Sequence, residues 1–209
     1  MMTGQDTGMN YLAHFYLAEQ SSEGLVGSLL GDFVKGRLDG RFAESVRRGI
    51  ALHRAIDSFT DAHPLHLQSR NRISRTRRRY AGIIIDVCYD HFLCRRWADY
   101  SSESLDCFTE RVYAALRDHY GDLPQRLQQI VTRMITDDWL ASYAGLENVG
   151  QALEGIARRI ERRNPLAGAI AEIESNYAAL DGDFQRFFPK LEAETPRILS
   201  TLVLRESGD

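Results

Sequence analysis

The sequence predicts an all-α protein, a single-domain helical bundle. Three observations carry this reading. Apolar residues recur at spacings of three and four, alternating strand patterns are absent, and only five of 209 residues are proline. The length suits one domain with an ample core.

Taken in order, residues 1–8 are polar and read as a loose extension, with Met9 a candidate natural start. Residues 9–204 form the helical domain. A first helix is expected from Tyr11 to Glu19. Ser21-Ser-Glu-Gly24 reads as a turn, followed by a helix from Leu25 to Val34 that Gly36 to Gly40 breaks. A third helix covers Phe42 to Asp61 and is closed by His63-Pro64. Leu65 to Arg79 follows. The next segment, Ala81 to Trp97, is apolar nearly all round, as in a helix at the centre of a bundle. Further helices are expected at 103–119, 124–143, 148–163 and 166–180. A last one, at 183–203, is interrupted or bent near Pro189 and Pro196.

Bulk composition narrows the class. Hydrophobic content of 44% and charged content of 26% are ordinary for a globular protein. A net charge of −3 excludes a polycation that seeks nucleic acid. Arginine dominates the positive charge, with Lys35 and Lys190 the only lysines. Cys88, Cys94 and Cys107 show no C-x-x-C spacing; their odd number and the lack of a leader pattern point to a reducing cytoplasm. No run of about 18 apolar residues is present, so no membrane insertion is expected.

Chemistry concentrates in two apolar segments. In His53-Arg-Ala-Ile-Asp57-Ser-Phe-Thr-Asp61, residues four apart stack on one helix face. His53, Asp57 and Asp61 therefore form one polar stripe. In the second segment, Asp86 and Asp90 share a stripe with Leu93 and Trp97, which is not a solvated charge face. His14 and Asp32 are two more polar residues in apolar surroundings. Unpaired buried carboxylates are costly, and a divalent cation would remove that cost and supply a catalyst. A mixed N/O donor set suits Mn²⁺, Fe²⁺ or Mg²⁺, while the cysteines are not grouped for structural zinc. Plainer roles stay open for single residues. His14 is a hydrogen-bonded core residue in that reading; Asp57 and Asp61 pair with Arg54 and Arg70 or cap helices. His63, His66 and His119 read as surface residues.

Residues 70–79 hold six arginines: Arg70, Arg72, Arg75, Arg77, Arg78 and Arg79. Read as a helix, they place charge on most faces. Such a run is usually a solvated, ion-paired face. Its position between the two His/Asp segments also suits a basic mouth that steers an anionic partner. Arg158, Arg159, Arg162 and Arg163 form a second basic group that either extends this surface or favours a helix C-terminus.

The motifs Met9-Asn-Tyr-Leu-Ala-His14, Gly31-Asp32-Phe-Val, Gly49-Ile-Ala-Leu-His53-Arg-Ala-Ile-Asp57, Asp86-Val-Cys-Tyr-Asp90-His91-Phe-Leu and Phe187-Phe-Pro189 jointly resemble the acyl carrier protein phosphodiesterases. The resemblance runs from Met9 to about Leu199. It implies an all-α fold related to the HD-type metal phosphohydrolases, though the literal His-Asp order is replaced here by Asp90-His91. It implies cleavage of the phosphodiester that joins 4′-phosphopantetheine to a serine of holo acyl carrier protein, with Mn²⁺ preferred. Carried onto matching positions, it points to Asp32, His53, Asp57, Asp86, Asp90 and His91. Of these, Asp32, His53, Asp57, Asp86 and Asp90 form the expected metal set. Asp57, Asp90 and His91 are the expected catalytic groups, supported by His14 and Asp61. The partner it implies is an acidic carrier protein docking on the arginine segment, with no nucleic acid involved. Two other readings stay open: an HD-type nucleotide phosphohydrolase, and a non-catalytic helical adaptor for an acidic protein.

Overall fold

A computed structural model describes residues 11–38, 40–160 and 162–206. The expected extension at 1–8 lies outside these residues. Among the described residues there are helices and turns but no strand.

Helix α1 (Tyr11–Leu17) begins under a remote carboxylate: the Leu12 and Ala13 amides both donate to Asp90, each at 2.9 Å. Helix α2 (Ser22–Leu30) starts at Ser21, whose Oγ accepts from the Gly24 amide at 3.1 Å. The expected turn at Ser21–Gly24 is therefore the cap and first turn of a helix. α2 lies directly on α3 (Glu44–Ala62). A β-carbon on Gly27 would stand 2.5 Å from the Val46 carbonyl oxygen, and one on Gly49 would stand 2.8 Å from that of Gly24. Only glycine permits this approach. The same crossing sets Gly31, at the end of α2, against the ring of His53, where a β-carbon would meet Cγ at 2.2 Å.

Helix α4 (Pro64–Arg72) starts with proline at its first position, where no amide is needed, and His63 Nδ1 accepts from the Leu65 amide. It ends at Arg72, so the arginine segment is not the helix expected to run to Arg79. Ile73 is extended and buried. The Ser74 amide and hydroxyl donate to Glu172 at 3.1 and 2.6 Å. Arg77 donates to Glu172 and to the Pro165 carbonyl. These anchors pull the chain off the helical path, and only a 3₁₀ turn at Arg78–Tyr80 follows.

Helix α5 (Ala81–Arg95) is the expected centre of the bundle: from Ile83 to Cys94 every residue except Asp86 is buried. Short α6 (Trp97–Tyr100) and α7 (Leu105–Asp118) follow. The expected helix at 124–143 is two, α8 (Gln125–Thr136) and α9 (Trp139–Ser142). Asp138 separates them in a left-handed conformation (φ 44°). Its carboxylate accepts from the Tyr113 hydroxyl, which accepts in turn from the Leu140 amide.

After α10 (Leu146–Arg159), Gly168 (φ 70°) turns the chain into α11 (Ile170–Glu206). This 37-residue helix, about 55 Å long, replaces the two expected at 166–180 and 183–203. It runs through Pro189 and Pro196, both on its exposed side. Phe184, Phe187, Phe188 and Leu191 pin the opposite side in the core, along α3, α4 and α5.

Candidate metal centre

Three elements converge on one point. α1 supplies His14, the turn after α2 supplies Asp32, and α3 supplies His53 and Asp57 one helical turn apart. His14 and His53 are buried and their rings stack, with centroids 3.7 Å apart. His14 Nε2 lies 2.9 Å from Asp57 Oδ1. His53 Nε2 stands 3.3 Å from both Asp32 Oδ1 and Asp57 Oδ2.

That nitrogen nonetheless makes no hydrogen bond, and the Nδ1 atoms of His14 and His53 are also buried without a partner. Each buried unmet polar atom costs about 1–3 kcal/mol. Donors around a single ion at about 2.1 Å stand roughly 3.0–3.4 Å apart, the spacing seen from His53 Nε2 to Asp32 and from His53 Nε2 to Asp57. The donor set is mixed imidazole and carboxylate, which fits Mn²⁺, Fe²⁺ or Mg²⁺. His14, His53 and Asp57 offer donor atoms all within 4.8 Å of one another.

The electrostatics agree. Burial opposes charge on His53, but the adjoining carboxylates of Asp32 and Asp57 outweigh it and raise its pKa to about 9. Burial also pushes Asp57 up, yet His14 and His53 hold it well below the usual carboxylate range. The centre opens to solvent at Asp57, whose side chain is 49% exposed.

Asp86 lies beside this group. Burial raises its pKa, and the charges of Asp57 and Asp61 add to the rise against a neighbouring His66. His66 Nε2 is 3.3 Å from Asp86 Oδ1. His66, read from sequence as a surface residue, is only 1% exposed, because α4 turns it inward against Tyr89 and Phe187. Its i+20 relation to Asp86 left no local signal.

The other expected site residues have different partners. Asp90 is wholly buried and spends both oxygens on the first turn of α1. His91 Nδ1 faces the Tyr143 carbonyl at 2.7 Å and its Nε2 faces the Tyr177 hydroxyl at 2.9 Å, so His91 stands outside the cluster. Asp61 is 71% exposed and pairs with Arg70 at 3.0 Å, the plainer role that the sequence left open for it. Arg54 donates to the Val34 and Gly36 carbonyls rather than to Asp57.

In the arginine segment, Arg72 binds the buried Asp183, Arg77 binds Glu172, and Arg78 binds Asn71 and the Ile73 carbonyl. Arg75 and Arg79 are exposed. No helix among the described residues is long and apolar enough to cross a membrane.

A family model described as acyl carrier protein phosphodiesterase matches residues 9–191. Curated relatives carry the same name. One from Serratia proteamaculans is 39% identical over 184 residues, covering 88% of this chain and 95% of the relative. One from Photorhabdus laumondii is 36% identical over 182 residues, covering 87% and 92%. One from Escherichia coli O157:H7 is 34% identical over 194 residues, covering 90% and 98%. No solved structure is significantly similar to the chain. With the match spanning nearly all of the helical bundle and every element that builds the His/Asp centre, the chain belongs to the acyl carrier protein phosphodiesterase family.

Proposed function

We propose that this enzyme hydrolyses the phosphodiester between 4′-phosphopantetheine and the serine of holo acyl carrier protein, at the His14–Asp32–His53–Asp57 centre and with Mn²⁺. Mg²⁺ and Fe²⁺ are the alternative ions. The observation that carries this is the buried His53 Nε2, set between two carboxylates without a hydrogen bond, in a chain of this family.

His14, His53 and Asp57 would hold the ion, with Asp32 set 3.3 Å from His53 Nε2. When bound, a divalent ion lowers the pKa of water and neutralises phosphoryl charge. Water oxygen forms the new bond to phosphorus and the P–O bond to serine breaks. The phosphoryl group stays on the pantetheine, and the serine oxygen takes up a proton. Asp86 suits the base that orients and deprotonates the water, since burial and its acidic neighbours favour a proton on it. Asp57, at the opening, faces the incoming substrate. The helices supplying His and Asp donors support kinship with HD-type phosphohydrolases. Docking of the carrier on the arginine segment narrows to Arg75, Arg78 and Arg79, since Arg70, Arg72 and Arg77 already serve carboxylates. The buried, unpaired Cys88 and Cys94 suit a reducing cytoplasm.

Intact-mass measurement of holo carrier protein, incubated with enzyme and Mn²⁺ or with enzyme and chelator, tests the reading. Loss of the phosphopantetheine mass only with metal is the expected result. Loss under both conditions, or under neither, overturns it.

A further inference from the structure

The chain between α2 and α3 carries a surface that the centre does not use. Residues 33–42 read Phe-Val-Lys-Gly-Arg-Leu-Asp-Gly-Arg-Phe, three cations against Asp39. Phe33, Val34, Leu38 and Phe42 pack against the core, which leaves Lys35, Arg37 and Arg41 exposed. Gly36, in a left-handed conformation (φ 80°), makes the bend between the two leading cations.

Arg54 fixes this loop to α3. Its guanidinium donates to the Val34 carbonyl at 2.5 Å and to the Gly36 carbonyl at 2.9 Å. Arg54 directly follows His53 and stands three residues before Asp57. The loop also follows directly from Asp32. The cations are therefore built onto the same backbone that places the centre's donors. Arg47 lies two helical turns before Arg54, on the same face of α3. Among the described residues, no ion pair engages Lys35, Arg37 or Arg47. The nearby Glu44 is held by Arg48 at 4.0 Å. In the arginine segment, by contrast, Asp61, Asp183 and Glu172 neutralise three of six cations. Uncompensated charge steers an oppositely charged partner; neutralised charge does so weakly.

We propose that Lys35 and Arg37, with Arg47, form the principal docking surface for the acidic face of the carrier protein. It would hold the carrier beside Asp57, the open side of the centre. This rests on the carrier being the substrate, and binding is measured apart from turnover so that the two ideas fail separately.

The test is the Kd of apo carrier protein by titration calorimetry at low and at physiological ionic strength. K35E/R37E is expected to weaken binding by about tenfold or more at low salt, and K35A/R37A by less in the same direction. R75E/R79E is expected to weaken it less than K35E/R37E. R117E/R197E, an equal charge change on α7 and α11, should stay near wild type. All four variants lie on the surface, and melting curves confirm their folding. No binding by wild type overturns the proposal, as does a K35E/R37E effect no larger than that of R75E/R79E or R117E/R197E. Loop-dependent binding without hydrolysis would leave docking intact and overturn the proposed reaction alone.

Discussion

Two clusters built around carboxylates, one at Asp183 of α11 and one at Asp57 of α3, are finished to different degrees. Asp183 on α11 is fully buried and receives hydrogen bonds from Gln68, Ser69, Arg72 and Arg186. Its charge is compensated and its lone pairs are used. The cluster of His14, Asp32, His53 and Asp57 keeps three buried ring nitrogens without a hydrogen bond and opens to solvent through Asp57. Unmet polar atoms are costly in a protein interior, and their concentration at one point supports the proposed metal centre. The comparison teaches that burial of a carboxylate alone does not mark a site. Unspent donor and acceptor capacity does.

The sharpest way to break this contrast is His53→Ala. Turnover should fall by about a thousandfold or more, while the melting temperature moves less than in any Asp183 variant. Assays of holo-carrier hydrolysis beside thermal denaturation would check it, and near-normal turnover would erase the distinction between the clusters.

Asp183→Ala should do the reverse. Leaving Arg72 unpaired beside a void is expected to cost about 3–5 kcal/mol in denaturant titrations, with hydrolysis per folded molecule preserved. Burial opposes charge on Asp183, but its donors, led by Arg72, hold its pKa below the usual carboxylate range. The folded value lies below the unfolded one, so this stabilisation is present at neutral pH and is lost as pH falls below about 4. Wild type should therefore lose more stability on acidification than Asp183→Asn does.

Gly31→Ala probes the framework of the centre. The added methyl would overlap the His53 ring, so a loss of about 1–3 kcal/mol is expected together with weaker Mn²⁺ binding. A stable variant with unchanged metal affinity would show that the glycine crossing does not position His53.

The smallest effect on the centre belongs to Asp90→Asn. Asparagine keeps only one of the two acceptors that serve the first turn of α1 and sets an NH2 against the other amide, so the change should cost about 1–3 kcal/mol and leave metal binding intact. Abolished binding would return Asp90 to the ligand set.

Much of this was legible in the sequence, and the failures share a cause. The periodicity of α3, α5 and α7 came through within a few residues, and the i, i+4 relation put His53 beside Asp57 before any coordinates. What local pattern cannot carry is a partner far along the chain. Glu172 holds Ser74, 98 residues away, and turns an expected helix into an anchored loop. The amides of α1 claim Asp90 across 78 residues. His66 looked exposed because it follows Pro64, yet α4 rotates it onto Asp86. His14 had the weakest expectation of the four cluster residues, since a lone histidine in an apolar helix has a ready structural explanation; its stack on His53 places it in the cluster. The glycines of α2 carry a further signal: Gly27 marks where the backbone of α3 approaches, and Gly31 where the His53 ring lies.

The most direct measurement is Mn²⁺ binding to purified wild type, His53→Ala and Asp183→Asn by titration calorimetry. The account predicts a bound ion in wild type and in Asp183→Asn, and a dissociation constant raised by about a hundredfold or more in His53→Ala. Equal affinity in all three, or loss in Asp183→Asn alone, would contradict it.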